Sequence, residues 1–275
     1  MKLEPLLKPG VSFHEEDRIA VFPVEGEHAR AQAAHFDAED DEFETERPRG
    51  TTPLYAWLIE EKFRRSIEGI GAYVPGCTAL AVCAGSGMDA ELLARAGAHV
   101  VSADISLGAS RRARERARRH GLDMTSVVAD AEDLPFADRS FDLVYVHDGL
   151  HHLEHPEAGL AEMARVARHA VSITEPARAA ATRLAVKAGV AQEREEAGNR
   201  VARVDPGEVA AALRGQGFEV THAERYGMLY RHHPGAPSRF LSRRRVFPLA
   251  VGAIRAANAV GGRLGNKLTV QAIRR

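Results

Sequence analysis

The chain has 275 residues, 45% of them apolar and 27% charged, with a formal charge of −1. It is long enough for one large α/β domain plus decoration, and its balance excludes a disordered chain or a globally basic nucleic-acid coat. Two cysteines, Cys77 and Cys83, exclude a disulfide framework or a zinc set and suit a reducing cytoplasm. No apolar run reaches the roughly 18 residues of a spanning helix, and the N-terminus lacks the apolar core of a signal peptide.

Residues 1–50 are polar, acidic and rich in Pro and Gly. They read as an irregular N-terminal extension with one short hairpin around Arg18 to Val24. Residues 53–72 form an amphipathic helix, with Leu54, Trp57, Leu58, Phe63 and Ile67 on one side. Strands and helices then alternate. Ala79–Cys83 is a buried strand, Met88 to Ala96 a helix and Ala98–Asp104 a second strand. Leu107 to His120 is an Arg-rich helix that stops at Gly121. Its charge run, Arg111 to Arg119, reads as a solvated face rather than a nucleic-acid patch. Met124–Ala129 and Phe141–His147 are strands three and four. Pro156 to Arg168 is a helix with Pro in its first turn, and Ala170–Thr174 is strand five. A helix at Pro206 to Arg214 and strands at Phe218–Arg225 and Lys267–Ile273 close the pattern. This order predicts an α/β, doubly wound, mostly parallel seven-stranded sheet covered on both faces.

Two domain-level expectations follow. Residues 1–74 are an N-terminal extension and lid. Residues 75–275 are the main domain, with an insertion at 226–266 that is too long for a plain connection and holds a helix or two. Charge is uneven: Glu39 to Glu46 is strongly acidic, whereas Arg231 to the end has ten Lys/Arg and no Asp/Glu. These segments are either two solvated surfaces, or the basic one, at 239–264, meets an anionic substrate or a membrane surface.

The first strand runs into Cys83-Ala84-Gly85-Ser86-Gly87-Met88 and then a helix. A G-x-G turn at the carboxyl end of a parallel strand lets the backbone approach a ligand closely. Strand two ends in Asp104, followed by Ile105; an acid there can accept from both ribose hydroxyls of a nucleoside. Strand three ends in Asp130-Ala131-Glu132-Asp133-Leu134-Pro135-Phe136. A carboxylate at that tip can accept from an adenine amine while the next N–H donates to the ring.

Together with Phe141-Asp142-Leu143-Val144-Tyr145 and Leu150-His151-His152-Leu153, this set resembles the class I S-adenosylmethionine-dependent methyltransferases, in the branch that acts on small molecules. The resemblance implies a Rossmann-like methyltransferase fold and S-adenosylmethionine as cofactor. Gly85 and Gly87 then lie under its methionine part and Asp104 holds its ribose. Asp130, Ala131 and Glu132 meet adenine, and His147 stands at the end of strand four. There are departures. The family usually has an acid where Cys83 stands, which leaves Asp89 as a candidate partner for the cofactor's ammonium. The usual Gly-rich turn before strand five is missing.

Methyl transfer needs an aligned acceptor and, for a hydroxyl or acidic carbon, a base. His151 or His152 is the expected base; the alternative is that the pair only shapes the pocket. Asp148 and Glu175 end strands four and five and are expected to face the substrate, with helix capping the alternative for Glu175. Tyr226, Tyr230, His232 and His233 in the insertion, and Tyr55 in the N-terminal helix, are further substrate candidates. No metal site is expected. The expected function is methylation of a small or medium-sized acceptor, on oxygen rather than carbon or nitrogen, without nucleic acid. Gly85-Ser-Gly87-Met-Asp-Ala90 also fits a NAD(P)-dependent oxidoreductase. The basic tail admits a nucleic-acid methyltransferase, although the Asn/Asp-Pro-Pro-aromatic run of amine-directed enzymes is absent. A cofactor-binding scaffold without transfer is the remaining alternative.

Overall fold

The computed structural model describes residues 2–39, 41–178, 204–228 and 233–275. Its centre is a nine-stranded sheet in the order β1-β2-β5-β4-β3-β6-β7-β9-β8. The strands are β1 (His14–Glu16), β2 (Ile19–Val21), β3 (Thr78–Val82), β4 (His99–Asp104), β5 (Met124–Val128), β6 (Phe141–His147), β7 (Ala167–Pro176), β8 (Phe218–Tyr226) and β9 (Lys267–Arg274). β2 through β7 pair in parallel, and β9 runs antiparallel between β7 and β8. The seven expected strands are therefore present, and the N-terminal hairpin adds two more at one edge.

The alternating residues of the central strands feed two cores. Leu80, Val82, Val144 and Val146 face one side of the sheet. Ala79, Ala81, Leu143 and Tyr145 face the other. Burial on both faces explains why these strands read as continuous apolar runs. The helices are α1 (Glu27–Asp37), α2 (Asp41–Glu46), α3 (Pro53–Ser66), α4 (Met88–Arg95), α5 (Leu107–His120), α6 (Pro156–Val166), α7 (Pro206–Gly215), α8 (Ala236–Leu241) and α9 (Phe247–Gly261). Local chemistry fixes several ends. Ser106 caps α5 by accepting from the Ala109 N–H at 2.9 Å, and Gly121 ends it in the left-handed region. Thr52 and Asp205 cap α3 and α7, each with Pro next in the chain.

Four features differ from the sequence expectation. The hairpin turns at Asp17 and Arg18, both at positive φ, so its strands lie at 14–21 rather than around 18–24. Residues 1–50 are not irregular: α1 and α2 form there, and β2 joins the main sheet beside β5. The Arg-rich helix is not a plainly solvated face, because Arg112 and Arg116 are buried. Arg116 Nε donates to the Ser86 carbonyl at 2.9 Å; its Nη1 donates to the Arg47 carbonyl at 2.7 Å and to Glu91 at 2.8 Å, and its Nη2 to the Glu44 carbonyl. Arg112 donates to the Phe36 carbonyl. These two side chains tie α1 and α2 to α5 and to the turn after β3. Finally, strand five, β7, runs from Ala167 to Pro176 rather than 170–174 and starts directly after α6, so the glycine turn is absent as the sequence indicates.

β3 lies between β4 and β6, so the chain leaves it in opposite directions on its two sides. A crevice at the carboxyl ends follows from that topology. Among the described residues no helix is long and apolar enough to cross a membrane.

Candidate functional site

A cavity of about 840 Å³ opens at the carboxyl ends of β3, β4, β5 and β6, within the size range of small-molecule and cofactor sites. Its floor is the turn after β3. Gly87 sits at φ 77°, and a Cβ there would come within 2.9 Å of Ala113 on α5. That close approach and the positive φ both require glycine. Cys83 and Asp148, at the tips of adjacent strands β3 and β6, also have positive φ, 49° and 52°. A Cβ on Gly149 would stand 2.4 Å from Cys83 Cβ, so Gly149 is what lets the two tips meet. Non-glycine residues in this region store strain of order 1–3 kcal/mol each, and such strain gathers at binding sites.

Asp104 lines the cavity from β4. Its carboxylate accepts the Gly85 N–H at 2.8 Å and the Ser106 N–H at 2.9 Å. Burial raises its pKa against those two hydrogen bonds. The bonds hold each carboxylate oxygen in place and leave lone pairs for an incoming donor. Asp37 of α1 stands beside it, accepting from Ser106 Oγ at 2.6 Å and Gly108 N–H at 2.7 Å. Past β5, Asp130 accepts the Glu132 N–H at 2.8 Å, and burial raises its pKa too. Ala131 and Glu132 line the same wall. Cys83, Ala84, Gly85, Ser86, Met88, Asp104, Ile105, Asp130, Ala131, Glu132 and His147 are thus brought together around one space, and Gly87 shapes the turn under it.

The end of β6 holds a charged cluster. His147 Nδ1 lies 3.3 Å from Asp89 and 3.3 Å from Tyr145 Oη, and its Nε2 lies 3.6 Å from Asp148. Burial lowers the His147 pKa, and repulsion from Lys62 lowers it further against the two acids. Burial works against ionising Asp89, but Lys62 and His147 outweigh it and hold the carboxyl well below the usual range. Asp148 behaves likewise, with burial outweighed mainly by Lys267, which donates to it directly. Asp89, Asp148 and Lys62 all line the cavity. Burial pushes the Cys83 thiol well above its ordinary value, and the nearby Asp104 and Glu175 push it further. These surroundings favour the thiol over the thiolate that a nucleophile requires.

The two adjacent histidines part company. His152 lines the cavity, whereas His151 is buried behind it. His151 Nδ1 lies 2.7 Å from Glu175 Oε2, and the other carboxylate oxygen accepts the Gly149 and Leu150 N–H groups, each at 2.8 Å. Glu175 is wholly buried and does not line the cavity; it caps the short turn Leu150–His152. The His151 and His152 rings are 4.2 Å apart, and His28 donates to the His152 carbonyl at 2.8 Å.

Of the other substrate candidates, Asp148 and His233 line the cavity. Tyr55 does not: it is buried with Ile59 and Met88, and its hydroxyl accepts from Arg47 at 3.3 Å. Tyr226 is also buried, packed with Leu54, Leu58 and Met228 under the Arg65 guanidinium. Tyr230 and His232 lie outside the described residues. The sequence reading missed the wall opposite the strand tips. His28, Gln32, His35 and Phe36 of α1, Phe43, Glu44 and Arg47 around α2, and Lys62 of α3 all line the cavity. Glu44 accepts from Ser86 Oγ at 2.8 Å and pairs with Arg47 at 2.7 Å. A signal for α1 existed: His28, Gln32 and His35 recur at helical spacing in an Ala-rich stretch.

Residues 80–174 match the family model described as methyltransferase domain. Curated relatives include demethylmenaquinone methyltransferases from Renibacterium salmoninarum, 41% identical over 38% of this chain and 42% of that protein, and from Corynebacterium urealyticum, 44% identical over 40% and 44%. The chain thus matches less than half the length of these relatives. Among solved structures, the magnesium protoporphyrin IX methyltransferase of Synechocystis PCC 6803 with bound S-adenosylhomocysteine is 17% identical, with a TM-score of 0.58 over 90% of this chain and all of that one. The cyclase SpnF is 20% identical, with a TM-score of 0.55 over 80% of each chain. These likenesses establish the fold.

Proposed function

We propose that this chain, whose residues 80–174 are a methyltransferase domain of the class I S-adenosylmethionine-dependent kind, transfers a methyl group to a hydroxyl of a small or medium-sized acceptor such as a natural product, a sugar or a lipid-linked glycan. The observation that carries the reading is the set of successive strand tips around one cavity: a G-x-G turn, then Asp104, then Asp130-Ala131. That spacing suits an adenosyl nucleoside with an extended amino-acid arm. The fit extends to the polar groups, since Asp104 is a buried carboxylate with lone pairs aimed into the cavity and the Gly85 turn adds no side chain there.

S-Adenosylmethionine supplies, when bound, an electrophilic methyl on a sulfonium with its leaving group built in. The protein's part is binding, orientation and proton handling. Asp104 takes the ribose hydroxyls, and Asp130 and the Ala131 N–H take adenine. Asp89, held ionised by Lys62 and His147, takes the ammonium in place of the family's acid at Cys83. Of the two histidines, His152 stands on the cavity wall, so it is the base that removes the acceptor's proton. His151 and Glu175 hold its turn. Residues 1–74 act as the lid through α1 and α2, whose side chains line the cavity opposite the strand tips; a lid there serves to keep water from the reacting groups. Oxygen is favoured as acceptor atom because a hydroxyl is the group for which a histidine base is of most use. The relatives' namesake, demethylmenaquinone, belongs in the acceptor panel.

Calorimetric titration with S-adenosylhomocysteine and with NADH tests the reading. The expected result is tight binding of the former alone, weakened about 30- to 150-fold in Asp104→Ala, the loss of charge-assisted bonds of roughly 2–3 kcal/mol. Preference for NADH would overturn it in favour of an oxidoreductase, and an unchanged affinity in Asp104→Ala would remove the ribose assignment.

A further inference from the structure

Away from the cleft, α8 and α9 present a surface of a different kind. From Arg231 to Arg275 the chain has ten Lys/Arg and no Asp or Glu. Three of these cations are spoken for. Lys267 pairs with Asp148, Arg274 donates to the Ala164 and Ala167 carbonyls, and Arg275 lies 3.5 Å from Glu219. Arg239, Arg243, Arg244, Arg245, Arg255 and Arg263 meet no carboxylate among the described residues; Arg239 donates to the Pro234 carbonyl at 3.4 Å, and Arg243 and Arg255 lie over the Phe240 and Trp57 rings. Elsewhere the arginines mostly do: Arg64, Arg95, Arg111, Arg119, Arg165 and Arg168 each pair with an acid at 3.2 Å or less.

α9 is apolar on two sides. One side, with Phe247 and Ile254, packs on Leu54, Leu58 and Trp57 of α3. The other faces outward. Leu249 is 74% exposed, Val260 93% and Leu264, just past the helix, 73%. Ala253 and Ala256 are exposed between them, so 249, 253, 256 and 260 form one stripe at helical spacing. Large apolar side chains exposed in a row mark an interaction surface. α9 has 15 residues, about 22 Å at the helical rise, too short for a hydrocarbon core of about 30 Å. It can lie on a bilayer but not cross one.

We propose that α8 and α9 form a docking face for an anionic lipid bilayer. Leu249, Val260 and Leu264 enter the boundary between headgroups and acyl chains, and the arginines that meet no acid pair with lipid phosphates. Charge decides between occupants. A second copy of the chain seated on this face by two-fold symmetry sets arginines against arginines, with no acid to separate them. A nucleic acid uses the arginines but leaves the apolar stripe in water, and this face offers no row of exposed aromatics for stacking bases. An anionic bilayer satisfies both parts. The inference needs no assignment in the cofactor cavity and stands or falls apart from methyl transfer.

Co-sedimentation with vesicles is the test, using phosphatidylglycerol-rich vesicles against pure phosphatidylcholine at low and high salt. The wild-type chain is expected to pellet with the anionic vesicles, less so at high salt, and to stay in solution with the neutral ones. Replacing Arg243, Arg244 and Arg245 together by Gln should cut partitioning roughly a hundredfold, about fivefold per arginine. Val260→Gln, at a side chain almost wholly in solvent, leaves the core untouched and should cut it several-fold. Both variants should keep the wild-type circular dichroism and S-adenosylhomocysteine affinity. The proposal is overturned by failure to bind anionic vesicles, by equal binding of the variants, by a dimer in analytical ultracentrifugation that Val260→Gln abolishes, or by tighter binding to tRNA than to vesicles.

Discussion

His151 and His152 are chain neighbours in different environments, one buried against Glu175 and the other on the cavity wall. Their variants should therefore fail differently. His152→Gln is expected to lower kcat by about 10²–10⁴-fold, the range of a lost general base, while calorimetry shows cofactor affinity within about twofold of wild type. His151→Leu leaves the wholly buried Glu175 carboxylate facing an apolar group. It should lower thermal stability by a few kcal/mol, in the range of a broken buried pair, and soften the cavity wall with it. If His151→Leu loses turnover at unchanged stability and His152→Gln does not, the two roles are reversed. The sequence could place both residues after strand four but could not say which side of a one-residue step faced the cleft. That depended on Glu175, which reads as a strand-end acid facing the cleft and instead caps the turn Leu150–His152. Tyr226 shows the same limit. An aromatic at the start of an insertion looks like a substrate contact until α3 is known to cover it.

Arg116 illustrates what is decided between elements. In sequence it is one of several arginines on a polar helix; in the fold it is the pin through which α5 holds α2 and the turn after β3. Arg116→Met should cost roughly 3 kcal/mol, because it takes the buried donor from three carbonyls and one of three arginines from Glu91, which keeps Arg49 and Arg95. Cofactor affinity should fall as well, since the Ser86 carbonyl and the Glu44 backbone lose their common partner. Arg116→Lys should rescue little of this, because one ammonium cannot span the fork. Chemical denaturation with parallel titration of S-adenosylhomocysteine reads both losses, and full rescue by lysine would refute the pin. Glu91 gives this joint a pH dependence. Burial alone would raise its pKa, but hydrogen bonds from Arg49, Arg116 and Arg95 hold it at about 2, against 4.5 ordinarily. A depressed carboxylate adds stability that is fully present above the unfolded value and is lost as pH falls from about 4.5 to about 2. The loss should be on the order of 2 kcal/mol, with Arg49 and Arg95 partly screened by solvent. Glu91→Gln should flatten the stability profile over that window. Elements whose own sequence carried an apolar period or a continuous apolar run, such as β3, β4, β6 and α3, were legible from that pattern, and the polar α5 was legible from its stop at Gly121. α1 and α2 carry no such pattern, because the faces they turn inward are mostly polar: both line the cavity and both are held by arginines of α5.

At the scale of the whole molecule, the mostly parallel sheet follows from the alternation of strands and helices. The position of the cavity follows from the reversal at β3. What the sequence left illegible is which residues build the wall opposite the strand tips, because they lie at 27–47 and meet tips at 83–88, 104 and 130–132, a contact between parts of the chain that no local pattern encodes. A cavity closed by long-range contacts makes a global prediction. A ligand that binds the folded chain alone adds RT ln(1 + [L]/Kd), about 2.7 kcal/mol at a hundredfold excess over Kd. For a chain of this size that corresponds to a rise in Tm of roughly 5–10 °C. S-Adenosylhomocysteine should produce such a rise, NADH should not, and Asp104→Ala, binding about 30- to 150-fold more weakly, should reduce it to roughly a tenth to a third at the same ligand concentration. Because α1 and α2 complete the cavity, the ligand should also slow amide exchange in residues 27–47 as much as in the turn at 83–88. Protection confined to the strand tips would mean that the N-terminal helices stand over the cleft without closing on its occupant.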